Sequence, residues 1–99
     1  MNNAVVNEIN EGPYVVIYVS DLVKSYDFYR DLGFDLKTER HGSGPIHYSI
    51  SCDGIVIEIY QGKCDVISKI RLGMPKKLLN STAKIGLFVD PDGNKVHIY

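Results

Sequence analysis

Three side chains capable of acid-base or metal chemistry stand on predicted β-strands. Glu58 interrupts the apolar run "IVIEIY", and a carboxylate within an apolar strand needs a partner. His97 lies between Val96 and Ile98, and strand alternation sets it apart from both of them. Together with His47 these groups supply two imidazoles and one carboxylate, a known iron-binding set. The chemistry they predict is a divalent-metal site or a polar anchor for a ligand.

The hairpin "IHYSISCDGIVIEIYQ" is the clearest structural motif in the chain. Asp53-Gly54 is a two-residue turn signal whose twist matches that of paired strands. It predicts six facing pairs: His47 with Tyr60, Tyr48 with Ile59, Ser49 with Glu58, Ile50 with Ile57, Ser51 with Val56, and Cys52 with Ile55. The apolar face needs a helix as cover, which leaves the polar face free to line a site.

A strand and an amphipathic helix precede this hairpin. The β-branched and aromatic run from Tyr14 to Val19 predicts a strand, and Ser20 or Asp21 can cap a helix that continues to about Leu32. Gly33 stands where a helix ends in a left-handed cap. The apolar stripe of the helix is Leu22, Tyr26, Tyr29 and Leu32. With a strand from Phe34 to Arg40, residues 14–61 predict a βαβββ unit.

The second half of the chain repeats this pattern in shortened form. We expect a strand from Ser68 to Met74, at most a turn or two of helix in Pro75 to Ala83, and a closing hairpin over Pro91-Asp92-Gly93. The hairpin strands are Leu87 to Val89 and Lys95 to Tyr99. This is a second βαβββ unit with its helix cut down and one strand missing.

Size and composition limit the class of protein. A chain of 99 residues is expected to form one domain, and no run is apolar enough to span a bilayer, so we expect a cytoplasmic protein. Cys52 and Cys64 are too few for a disulfide framework. Residues 63–84 are basic and residues 1–62 acidic, which favours an anionic small molecule or complementary subunit surfaces. The clustered basic and aromatic pattern of a nucleic-acid binder is missing.

The fragments "VIYVSDLVKSYDFYRDLGF", "IVIEIYQ" and "LFVDPDGNKVHIY" together resemble the glyoxalase/bleomycin-resistance/extradiol-dioxygenase group, the vicinal oxygen chelate superfamily. The resemblance implies an α+β fold of paired βαβββ modules, with residues 13–62 as the complete module and residues 68–99 as the truncated one. It also implies a cleft between curled sheets and a homodimer. Metal-dependent members take one ligand from each of four strands, and those positions correspond to Tyr14, Glu58, the vicinity of Lys69, and His97.

Three functions remain open at this point. We favour a small-molecule binder without a cofactor, its cleft lined by aromatic walls and a few polar groups, namely Tyr14, Tyr18, His47, Ser49, Glu58, Tyr60 and Tyr99. The alternative is a metal-dependent lyase or isomerase, or a dioxygenase, in which Glu58 and His97 bind zinc, nickel or iron. A third hypothesis is a module that only associates with another chain.

Overall fold

The computed structural model describes residues 12–99. The first module contains strand β1 (Tyr14–Val19), helix α1 (Leu22–Leu32), and strands β2 (Lys37–Glu39), β3 (His47–Cys52) and β4 (Ile55–Gln61). Its four strands form one sheet in the order β1, β4, β3, β2. β1 runs parallel to β4, and the other pairs are antiparallel. The predicted βαβββ unit is therefore confirmed, with β2 shorter than expected at both ends.

Local sequence signals set the ends of α1. The Asp21 carboxylate accepts a hydrogen bond from the Lys24 amide at 3.0 Å, which satisfies one otherwise unpaired N–H of the first turn. At the other end Gly33 has φ 108°, and its Cβ position would lie 2.8 Å from the Cβ of Ala83. Both the left-handed conformation and the close approach favour glycine here.

The turn between β3 and β4 sets the register of the sheet. Asp53 and Gly54 have φ values of 50° and 85°, the two positive angles of a hairpin turn that matches strand twist. Of the six predicted pairs, five occur in the β3–β4 ladder. The sixth, His47 with Tyr60, continues the same alternation as a contact between stacked rings.

The second module is a three-stranded sheet in the order β5, β7, β6. Its strands are β5 (Arg71–Met74), β6 (Gly86–Val89) and β7 (Lys95–Ile98), and a single 3-10 turn (Lys76–Leu78) replaces the helix of the first module. This confirms the truncated second module. The strand expected from Ser68 begins only at Arg71, because residues before it bond to other elements: the Ser68 hydroxyl accepts from the Tyr18 amide.

One hydrophobic core joins the two modules. Val96 and Ile98 of β7 and Met74 of β5 share a buried cluster with residues of β1, α1, β3 and β4. The turn before β7 adds polar contacts, since the Tyr29 hydroxyl of α1 donates to the buried carboxylate of Asp90 at 2.8 Å. In residues 12–99 no helix is both long and apolar enough to cross a bilayer.

Candidate functional site

The first sheet presents one face to the core, and no helix of residues 12–99 covers the other face. We call the second face the open face. Strand pairing places three rows on it: Tyr14 beside Val56 and Ser51, Val16 beside Glu58 and Ser49, and Tyr18 beside Tyr60. The tyrosines at its rim are accessible, with Tyr14 60% and Tyr18 39% exposed, whereas Glu58 and Ser49 are buried. The open face therefore combines exposed aromatic rings with a shielded carboxylate.

Four rings form a continuous row along one end of the open face. Tyr18 and Tyr60 have centroids 6.1 Å apart, Tyr60 stacks on His47 at 4.1 Å with planes 9° apart, and His47 lies 4.9 Å from His41. Stacked and tilted rings at these separations attract one another beyond the area they bury. The four rings form a bent row, tilted at both ends and stacked in the middle, that ends beside acidic groups.

Those acidic groups are Glu58 on β4 and Glu39 on β2. Nε2 of His47 lies 3.4 Å from Oε1 of Glu39 and 3.7 Å from Oε2 of Glu58. Nε2 of His41, in the loop after β2, lies 4.0 Å from the same Glu39 oxygen. One ligand atom from each of these four residues falls within 4.8 Å of the other three. We call the four residues the Glu-His cluster.

Tyr60 connects the aromatic row to the Glu-His cluster. Its hydroxyl lies 3.3 Å from Nε2 of His47. Burial raises the pKa of Tyr60, and the Glu58 and Glu39 charges raise it further, because an ionised phenolate would face two carboxylates. Tyr60 is therefore a neutral phenol that can donate a hydrogen bond.

The remaining predicted site residues lie on the second sheet. His97 pairs with Gly73 and Leu87, it is exposed, and its ring lies 5.4 Å from that of Tyr99. Tyr99 is 57% exposed at the end of β7. In residues 12–99 the ion pairs of Glu58 involve His47 and not His97. The two residues belong to separate sheets, and the packing of the modules does not bring them together.

Sequence reasoning missed Glu39 and His41. Glu39 is the partner of His47 in the β2–β3 ladder, so strand pairing brings its carboxylate to the open face. The signal that could have found them is the two-residue spacing in "ERH", which places both side chains on the same side of an extended segment. Using that signal required the register of β2 against β3, and the intervening loop carries no two-residue turn that would fix it.

Of three cavities in the described residues, two lie away from the open face and the third borders it at Tyr18. One of ≈ 540 Å³ lies between the end of α1 and residues 81–84, with Phe88 in its wall. Another, of ≈ 200 Å³ and more apolar, lies between the β3–β4 hairpin and β5, beside the buried Cys52. A third, of ≈ 320 Å³, is bounded by Tyr18 and residues 61–63, next to the aromatic row.

A family model described as the glyoxalase/bleomycin resistance protein/dioxygenase superfamily matches residues 13–63 of the sequence. The match covers the complete first module, including the strands that carry the open face. The chain belongs to this superfamily. No curated protein matches it.

Solved structures agree with the glyoxalase/bleomycin resistance protein/dioxygenase fold. TnmS3, an antibiotic-binding protein from Streptomyces, aligns with a TM-score of 0.61 and 21% identity over 89% of this chain and 93% of that chain. An integron cassette protein from the mobile metagenome of V. cholerae aligns with a TM-score of 0.59 and 16% identity over 89% and 92%. At these identities the similarity establishes the fold.

The four positions for which the resemblance implied metal ligands are divided between the two modules. Tyr14 is an exposed phenol at the start of β1, and Lys69 lies before β5, where its ammonium group donates to the carbonyl of Asp92. Glu58 and His97 are the chemically suitable members, and they lie on different sheets.

Proposed function

We propose that this protein is a non-catalytic small-molecule binder whose ligand lies on the open face of the first sheet. The observation that carries this proposal is the row of Tyr18, Tyr60 and His47 rings beside the buried Glu58 carboxylate. Aromatic surface with a few fixed polar groups is what a binding site for a flat, amphipathic molecule requires. The accessible Tyr18 ring supplies contact area, and the carboxylate orients the ligand.

The charge of the site favours a ligand that donates hydrogen bonds or carries positive charge. Ionised carboxylates only accept hydrogen bonds, and Glu39 and Glu58 have imidazoles as their ion-pair partners in the described chain. A cationic group above the Tyr18 or Tyr60 ring would also gain from cation–π attraction. We therefore expect flat cationic aromatics to bind better than flat anionic ones.

The superfamily supports this class of function. Its members include non-enzymatic drug-binding proteins, and TnmS3, which shares the fold, is an antibiotic-binding protein. The alternative, a lyase, isomerase or dioxygenase using Glu58 and His97, would need a second chain to bring His97 to Glu58. The binder requires no such rearrangement, because the open face carries all its groups on one sheet.

We also propose that two copies of the chain associate. The outer face of the second sheet exposes Leu87, Val89 and Tyr99, each more than half exposed. His97 and Lys95 lie on the same face, and exposed apolar side chains grouped in this way are ordinarily buried by a partner. In a symmetric homodimer this surface of one copy could cover the open face of the other, which would give Tyr99 a place in the ligand site.

The test uses 9-aminoacridine, a flat cation, and naphthalene-1-sulfonate, a flat anion of similar character, in equilibrium titrations followed by fluorescence. The cation should bind the wild-type protein and the anion should bind more weakly. Tyr18→Ala should weaken cation binding about tenfold through the lost ring contact. Val23→Ala is the control, because Val23 is 64% exposed on α1, away from the open face. Equal affinity of Tyr18→Ala and wild type would exclude the open face as the binding site.

A further inference from the structure

We propose that the Glu-His cluster (Glu39, His41, His47 and Glu58) binds one divalent transition-metal ion, with zinc the best match. The set contains two imidazole nitrogens and two carboxylate oxygens. Imidazole suits zinc, and carboxylates complete its usual four-coordinate shell. Three of the four ligands come from β2, β3 and the loop between them, so this is a different site from the four-strand arrangement of the superfamily.

Distances between the ligand atoms fit a tetrahedral ion. With metal–ligand bonds of about 2.0 to 2.1 Å, the ligands of a tetrahedral zinc lie roughly 3.3 Å from one another. His47 lies 3.4 Å from Glu39 and 3.7 Å from Glu58, and His41 lies 4.0 Å from Glu39. All four ligand atoms fall within 4.8 Å. Small side-chain rotations are enough to bring them to bonding distance of a common ion.

The tautomer of His47 also suits a metal ligand. Nδ1 of His47 lies 3.2 Å from the carbonyl oxygen of Pro45, which can only accept a hydrogen bond, so Nδ1 carries the proton. In the neutral ring the Nε2 lone pair then faces the carboxylates of Glu39 and Glu58. A histidine whose second nitrogen donates to a backbone carbonyl is the usual arrangement of a metal ligand, because that bond fixes the ring orientation.

The carboxylates of the cluster have no lysine or arginine partner within residues 12–99. Glu58 is 6% exposed, and buried carboxylates require a partner charge. In residues 12–99 the ion pairs of Glu39 and Glu58 are made with imidazoles and not with lysine or arginine. Among the described residues, Nδ1 of His41 is shielded from solvent and has no hydrogen-bond partner. A divalent cation would neutralise both carboxylates and bind both imidazoles at once.

Binding of an ion would tie the loop after β2 to the centre of the sheet. His41 lies in that loop, whereas Glu58 lies on β4, two strands away from β2. The ion would therefore close the end of the aromatic row and orient the His47 ring that stacks on Tyr60. This inference does not rest on the proposed small-molecule function, and it is tested without any organic ligand. The preference for cationic ligands applies to the metal-free protein, because a bound ion would neutralise the Glu39 and Glu58 carboxylates.

The experiment titrates tag-free, chelator-treated full-length protein with Zn²⁺ and Co²⁺ by calorimetry and visible absorption. We expect one ion per chain and the strong absorption of tetrahedral cobalt. Glu39→Gln and His41→Gln change partly exposed side chains and should each weaken zinc binding by more than about tenfold. His97→Gln tests the alternative ligand set and should leave the affinity as it is.

A measurement on the unmutated protein removes any dependence on how the variants fold. The chain has three histidines, and their ring nitrogens can be followed by NMR as Zn²⁺ is added. The rings of His41 and His47 should shift together with one-to-one stoichiometry, and the ring of His97 should stay unchanged. The proposal would be overturned if zinc did not bind, or if the ring nitrogens of His97 shifted in place of those of His41 and His47. It would also be overturned if both variants kept full affinity for zinc.

Discussion

Replacing Tyr29 with phenylalanine tests how the truncated second module is held to the first. The Tyr29 side chain is 1% exposed, and its hydroxyl donates to Oδ2 of Asp90 at 2.8 Å. Asp90, 4% exposed, also accepts from the amides of Asp92 and Asn94 and from the Asn94 side chain. The substitution removes one donor from a buried carboxylate and leaves the ring volume unchanged, so no cavity forms.

The expected loss follows from the charge on the acceptor. A hydrogen bond to an ionised group contributes about 1.5 to 3 kcal/mol to stability. The three donors that remain still satisfy the Asp90 carboxylate, so the loss is that of one hydrogen bond. For a domain of this size each kcal/mol lowers the melting temperature by about 4 °C or more, so we expect a decrease of at least about 6 °C. Urea unfolding followed by circular dichroism measures the free energy directly.

Tyr26→Phe is the matched control. Tyr26 lies on the same helix, where its ring is 4.7 Å from that of Tyr48, and its hydroxyl forms no hydrogen bond within residues 12–99. We expect it to change the unfolding free energy by less than about 0.5 kcal/mol. Equal stability of the Tyr29→Phe and Tyr26→Phe proteins would show that the hydrogen bond from Tyr29 to Asp90 does not stabilise the fold.

The unfolding free energy at alkaline pH tests the contact between Tyr29 and Asp90 independently. Burial raises the pKa of Tyr29, and the Asp90 charge raises it further. A folded pKa above the unfolded value of about 10 means that the contribution is fully present below pH 10 and is lost as pH rises above it. This one proton should make the wild-type unfolding free energy fall by about 1.4 kcal/mol per pH unit in that range. Tyr29→Phe should lack this component.

Three further predictions concern the cap of α1, the open face and the assembly. Gly33→Ala should lose at least about 1 kcal/mol in urea unfolding, because φ is 108° and the new Cβ would lie 2.8 Å from that of Ala83; an unchanged midpoint would contradict it. Glu58→Gln should change the free energy of 9-aminoacridine binding more than it changes the free energy of unfolding, and the opposite result would make Glu58 a structural residue. Sedimentation at micromolar concentration should give twice the 11.1 kDa chain mass, and a clean monomer would refute the homodimer.

Much of the first module could be predicted because its signals are local. The Asp53-Gly54 turn alone determines the β3–β4 register, and Asp21 and Gly33 mark both ends of α1. Each of these depends on the conformation of one or two residues. Elements specified in this way follow from the sequence without knowledge of the tertiary packing.

The site could be predicted only in part because it depends on distant elements. His47, Ser49 and Glu58 were placed on one face by alternation, and the ladder agrees. Glu39 and His41 reach the same face through the pairing of β2 with β3, across a loop that sets no register. The pairing of Glu58 with His97 depends on the relative orientation of two sheets, which is decided by the shared core and not by a local signal.

The central claim is that a small molecule binds on the open face of the first sheet. The most direct measurement is a set of ¹H–¹⁵N correlation spectra of the wild-type protein recorded during titration with 9-aminoacridine. The account predicts saturable shifts centred on the amides of Tyr18, Glu58 and Tyr60. Shifts centred instead on residues 81–84 and the end of α1, or no shifts at millimolar dye, would contradict it.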